Sequence, residues 1–181
     1  LMGDQPEAGK WISKALEKEP KRLQFLINQA NNQMFLDHMD EAESLLHRAL
    51  EVQPGNPNAH WLLSGLKKAK DRSHVVELER LVEQEGRNPK GLAFLNYGLG
   101  KELEDLEDWD SAFTAFARGA AARRSVIDFD EQAEIEMYDA FRDTFTRDWM
   151  DRGEPGHESA APIFVVGQPR TGTTLVERII T

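Results

Sequence analysis

Glu41 to Pro57 reads EAESLLHRALEVQPGNP, and the same skeleton stands 34 residues earlier in EAGKWISKALEKEPKRL, Glu7 to Leu23. Ala8, Ile12, Ala15 and Pro20 return as Ala42, Leu46, Ala49 and Pro54. Apolar positions three and four apart describe one face of a helix, and the proline marks where each helix stops. A more divergent copy follows in Val76, Arg80, Glu83 and Asn88, trailed by Pro89, and a last one in Ala112, Phe116, Gly119 and Arg124, 36 residues further on. A period of this length means stacked supersecondary units.

Working outward, each unit reads as two antiparallel helices. Leu23 to Met34 is the first helix of the first complete pair, with Leu26 and Ala30 inward. Asp37 to Asp40 is its turn, and Glu41 to Val52 its second helix. Pro54-Gly55-Asn56-Pro57 is a stop signal. The second pair runs from Asn58, with Trp61, Leu62, Leu63 and Leu66 apolar, to a helix around His74 to Gln84, closed by Gly86-Arg87-Asn88-Pro89. In the third, Leu95, Leu99, Gly100 and Leu103 share a face, Trp109 sits beside the turn, and Ala112, Phe116 and Gly119 follow. Small residues at such positions let neighbouring helix backbones approach closely.

The period and the small-and-large alternation resemble the tetratricopeptide family. That resemblance implies an all-α helical-hairpin solenoid over residues 1–125: a half repeat in 1–20, then three hairpins. It also implies a concave face, formed mostly by the first helix of each pair, that holds a peptide or protein segment. Asn28, Gln29, Asn32, Asn96 and Tyr97 are the candidate lining residues. The helix from Pro6 to Glu19 lacks its partner, so the chain is expected to be a fragment at that end.

Beyond Arg124 the pattern changes. Asp130 can cap a helix from Glu131 to Met150 carrying Tyr138, Phe141, Phe145 and Trp149 on one stripe. Residues 126–150 are expected to cap the repeats and to bridge them to the carboxy-terminal segment. Residues 151–161, DRGEPGHESAA, read as a linker.

Pro162 to Thr181, PIFVVGQPRTGTTLVERIIT, is the stretch built to meet a small molecule. Ile163 to Val166 has the composition of a strand buried in a parallel sheet. Gly167-Gln168-Pro169-Arg170-Thr171-Gly172-Thr173-Thr174 comes next, and then a helical pattern from Leu175 to Ile180. Backbone N–H groups of such a loop and helix start make an anion site. The spacing is similar to the phosphate loop of nucleotide hydrolases, but Thr173 stands where that pattern needs lysine. A nucleoside triphosphatase is therefore disfavoured, and a kinase-like loop that binds ATP is the third-ranked reading.

The form V-G-x-P-R-T-G-T-T-L resembles the 5′-phosphosulfate loop of sulfotransferases, in the branch that includes tyrosylprotein sulfotransferases and bacterial proteins in which such a domain follows tetratricopeptide repeats. The resemblance implies that residues 162–181 are the strand-loop-helix start of a P-loop-like α/β sulfotransferase domain, truncated after the loop. It makes 3′-phosphoadenosine 5′-phosphosulfate the co-substrate, with no metal. Gly167, Pro169, Arg170, Thr171, Gly172, Thr173 and Thr174 would hold the donor, and Arg170 would be the catalytic cation beside the leaving phosphate. Sulfonate would pass to a hydroxyl acceptor, protein tyrosine among the options. In that family the base and the 3′-phosphate site lie beyond the loop, so these 181 residues by themselves are expected to be inactive. The exposed strand is a candidate for self-association. The competing class is a non-catalytic tetratricopeptide scaffold for protein–protein interaction.

Composition bounds the rest. The net charge is −10, of which residues 151–181, with four acids against three bases, carry −1. The acidic balance argues against nucleic acid or an anionic membrane as partner. No apolar run approaches membrane-spanning length, and the amino-terminal stretch lacks the basic-then-apolar order of a secretory signal, which points to the cytoplasm. With no cysteine, disulfides and Cys-based metal sites are excluded. His38, His47, His60, His74 and His157 are scattered and read as surface or internally satisfied residues. The six acids between Glu102 and Asp110 read as a solvated helix end.

Overall fold

The computed structural model describes residues 4–86, 88–153, 161 and 163–180. Among them every regular element is a helix, an architecture compatible with a helical-repeat solenoid. The chain divides into two units, Leu1–Asp128 and Phe129–Thr181. The first contains α1 (Gln5–Lys18), α2 (Leu23–Phe35), α3 (Met39–Val52), α4 (Pro57–Leu66), α5 (Ser73–Glu85), α6 (Pro89–Asp105) and α7 (Trp109–Arg124).

Local chemistry explains where these helices start. Asp4, Asn56 and Asn88 each place a side-chain oxygen on the N–H three residues ahead, at 3.0 Å to Glu7, 2.9 Å to Ala59 and 3.3 Å to Gly91. A proline stands in the first turn of each of these helices, where its missing N–H costs nothing. The Asn-Pro pairs thus open α4 and α6 as well as closing the segment before them.

The turns inside the first and third hairpins are the same object. Asp37 and Glu107 both take a left-handed backbone, with φ of 62° and 63°. In each turn the next residue's N–H reaches back to the helix, His38 to the Gln33 carbonyl and Asp108 to the Leu103 carbonyl, both at 2.9 Å. That is the arrangement by which a left-handed residue satisfies the orphan carbonyls of a helix end. The middle hairpin departs from it: α4 stops at Leu66, and residues 67–72 form a longer loop.

Packing follows the small-residue logic. Ala30, Ala42, Ala49 and Ala59 are fully buried. A methyl group on Gly100 would lie 2.7 Å from the Phe116 ring, and one on Gly98 would lie 3.0 Å from Ser64 Oγ. These glycines let α6 approach α7 and α4. The buried apolar side chains form two clusters. One gathers Leu16, Leu26, Ile27, Leu46 and Leu62 from α1 to α4; the other gathers Val75, Leu78, Leu95, Leu99 and Leu103 from α5 and α6, with Ala112 and Ala115 of α7. The border between them falls within the middle hairpin, between α4 and α5.

The second unit holds α8 (Glu131–Thr144), α9 (Arg147–Asp151) and α10 (Thr173–Ile180), and none of its described residues is buried. Asp130 does cap α8, its side chain accepting from Ala133 N at 3.1 Å. The single helix expected from Glu131 to Met150 is instead broken at Phe145. Thr146 is the reason: its hydroxyl accepts from Trp149 N at 3.2 Å and starts a new helix. Phe141, Phe145 and Trp149 keep their ring contacts across the break, with centroids 6.1 and 4.9 Å apart. Most of the expected linker, residues 154–160, lies outside the described residues, as does Pro162. Ile163 to Val166 is not in a strand: none of the described residues forms a sheet to which it could pair.

Candidate functional site

The loop before α10 is shaped by its glycines. Gly172 has φ of 91°, where L side chains are strained, and a methyl group on Gly167 would sit 2.6 Å from Thr171 Oγ1. Thr171 Oγ1 donates to the Gln168 carbonyl at 2.7 Å and closes the turn. Between them Arg170 is held left-handed, at φ of 67°, an uncommon state for a residue with a long side chain. Leu175 and Val176 both donate to the Gly172 carbonyl at 3.0 Å, so Thr173 and Thr174 fall in the first turn of α10, where N–H groups have no partner within the helix. Thr173 is half-buried; Gly167, Pro169, Arg170, Thr171, Gly172 and Thr174 are exposed. The donor set is one an anion fits: a guanidinium, hydroxyls and a helix start on one short loop.

Of the candidate concave-face residues, Asn32 and Asn96 are buried, and Gln29, also buried, reaches a surface only as the floor of a groove. Gln29 donates to Ser13 Oγ of α1 at 3.3 Å, and Asn32 donates to the Gln5 carbonyl at 2.7 Å. Asn96 donates to the Leu92 carbonyl at 2.9 Å. Tyr97 packs beside Gly119 of α7, where an added methyl would lie 3.1 Å from its ring. Asn28 is exposed and accepts from Gln24 at 2.8 Å. Gln29 and Asn32 thus tie α2 to α1, while Asn28 and Asn96 are bonded within their own helices.

A different surface recurs through the array. One groove runs between α1 and α3 over α2, with Glu17, Ser44 and Arg48 on its walls and Gln29 and Gln33 on its floor. Another runs between α5 and α7 over α6, with Glu83, Thr114 and Arg118 on the walls and Leu99 and Leu103 on the floor. Wall and floor residues of α2–α3 and α6–α7 correspond position by position, at the spacing that relates Asp37 to Glu107. Each groove therefore offers an acid from one second helix and an arginine from the next.

The middle hairpin holds the feature that sequence reasoning missed. His60 of α4 and His74 of α5 stack with ring centroids 5.1 Å apart. His60 Nε2 meets the Pro54 carbonyl at 2.8 Å, His60 Nδ1 meets His74 Nε2 at 2.8 Å, and His74 Nδ1 is bonded to Glu102 Oε1 of α6. His60 is 4% and Glu102 6% exposed, so both ends of the relay are internal, while His74 between them is partly exposed. Burial holds His60 below the usual histidine range despite its bond to Pro54. Fourteen residues and the 67–72 loop separate the two histidines, so they stand on different helices and only the fold brings them together.

The acidic run beginning at Glu102 is correspondingly not a plain solvated end. Besides Glu102, Asp105 is bonded to Lys101 and accepts from Ala69 N at 2.8 Å, and Asp108 pairs with Arg72 at 3.1 Å. Burial raises Asp105, yet Lys101 and the Ala69 N–H together bring it below the usual carboxylate range. The carboxylates of α6 and its turn thus hold the irregular 67–72 loop.

No family model matches the chain. It is 26% identical over 175 residues to an uncharacterized protein of Aquifex aeolicus (strain VF5), covering 96% of this chain and 23% of that protein. Over 51 residues it is 39% identical to a TPR repeat-containing protein of Treponema pallidum (strain Nichols), covering 28% of this chain and 6% of that protein. The chain thus spans less than a quarter of the length of either relative. Among the described residues no helix is long and apolar enough to cross a membrane.

Proposed function

We propose that the hairpin array of the first unit is a protein-binding scaffold of the tetratricopeptide kind, holding a peptide or protein segment. The observation that carries this reading is the recurrence of one hairpin, with its left-handed turn at Asp37 and again at Glu107, in a chain that shares a stretch of sequence with a TPR repeat-containing protein. The recurring grooves between second helices favour them, over the buried asparagines, as the contact surface. Their acid-and-arginine walls suit a segment carrying both charges, with the overall charge of −10 favouring basic partners. Selection of peptides against the immobilised chain, repeated with Glu83→Lys and Arg118→Glu, tests this. Loss of the selected peptides in these variants supports the reading; unchanged binding rejects the grooves.

A second reading concerns the whole protein. The loop at 167–174 supports binding of a sulfated or phosphorylated nucleotide, and by its resemblance the transfer of sulfonate from 3′-phosphoadenosine 5′-phosphosulfate to a hydroxyl. Arg170 would neutralise the leaving phosphate, and Thr173 and Thr174 would donate to it. What supports this is the donor set on a glycine-shaped loop ahead of α10. Calorimetry on a longer protein that includes the segment after Thr181 distinguishes the candidates. Preference for the sulfated donor over ATP, lost in Arg170→Ala, is the expected result, and preference for ATP contradicts it.

A further inference from the structure

The Pro54–His60–His74–Glu102 relay has three links, and each link is a hydrogen bond with room for one proton. The proton of the first sits on His60 Nε2, because a carbonyl only accepts. The other two lie between the rings and between His74 and Glu102. Three protons fill the three links. A fourth proton has no link to occupy. Placed on either ring, it sets N–H against N–H across a 2.8 Å gap.

The relay lies on the border between the two apolar clusters, where α4 meets α5 and α6. We propose that the border is an acid-opened joint: taking up a fourth proton requires the His60 and His74 rings to part, which loosens α4 from α5 and α6. The groups that act on His60 are His74 and Glu77 of α5 and Glu102 of α6, with the Pro54 carbonyl from the loop after α3. Nearby charges stay fixed while histidine titrates. Arg80 holds Glu77 below the usual carboxylate range, and Ser111 and Arg72 do the same for Asp108. Asp105 is held low as well, and Lys67 at the end of α4 is engaged by Asp40 and Glu43 of α3.

Proton counts set the direction. Parted, the two rings have room for four ring protons, against three in the closed relay. Where both parted rings are charged, opening takes up one proton, and its equilibrium constant rises by up to about tenfold per pH unit of acidification. The closed joint is therefore lost as pH falls into the range where both parted rings are charged.

Amide hydrogen exchange of the chain at pH 6.5 and 5.0, corrected for intrinsic exchange, reads the joint directly. The expected result is a selective loss of protection in α4 and the first turn of α5 on acidification, with α2 and α3 as internal reference. In His60→Asn the difference between the two pH values disappears. Equal response of all helices, or a pH response that survives His60→Asn, overturns the proposal. Should that variant fail to fold, the ring signals of His60 in the unaltered chain decide by NMR. Titration in step with the exchange of α4 supports the joint, and titration without loss of protection overturns it.

Discussion

Asp37 and Glu107 occupy backbone that only glycine adopts without cost, and both are acids. Glu107→Gly should therefore stabilise the fold by about 0.5–1 kcal/mol, the left-handed penalty relieved less the extra entropy of glycine. Urea denaturation reads it as a raised midpoint. Gly100→Ala should do the reverse: its methyl meets the Phe116 ring, and overpacking outweighs the better helix propensity by about 1–2 kcal/mol. Only one of these two positions was legible in the sequence. Gly100 announced a close approach by its place on an apolar face. Asp37 lay in a turn that the sequence marked, and its short side chain tolerates left-handed backbone; Glu107 gave no such hint. The histidines were hidden for another reason: His60 and His74 stand on different helices, and only the turn between α4 and α5 brings their rings together.

Among elements, the middle hairpin is the outlier, and its divergent sequence copy foretold that without saying how. Where its neighbours close on a left-handed turn, it has a loop tied to α6 through Asp105 and Lys101. Asp105→Asn should loosen residues 67–72 and cost about 1 kcal/mol, seen as faster proteolysis between α4 and α5. Because its folded pKa lies below the ordinary value of 3.8, the contribution of Asp105 is present above that value and lost as pH falls beneath it. The hairpin helices and their Asn-Pro starts were readable because capping and periodicity are local. The break at Phe145 was not, because the aromatic spacing continues through it and the Thr146 cap that causes it looks like an ordinary polar position. The strand expected at Ile163 to Val166 depends on partners, and composition cannot supply those; α10 after it forms from its own residues.

For the molecule as a whole, the two apolar clusters belong to one unit, Leu1–Asp128, joined by a polar seam. Leu46→Ala and Leu78→Ala, at fully buried positions in the two clusters, should each cost about 2–5 kcal/mol. If the seam couples the clusters at neutral pH, each change shifts one common unfolding transition. Two separate transitions would show the halves to be independent. In the second unit, taken by itself, no described residue is buried, and Tyr138, Phe141, Phe145 and Trp149 are about half exposed.

The measurement that bears most directly on function is an NMR titration of the chain with a peptide selected against it. Binding by the repeat array predicts shifts at Glu17, Ser44 and Arg48 or at Glu83, Thr114 and Arg118, competed by other selected peptides and abolished in Arg118→Glu with Arg48→Glu. Shifts confined to residues 163–180, or no peptide retained above background, would contradict it.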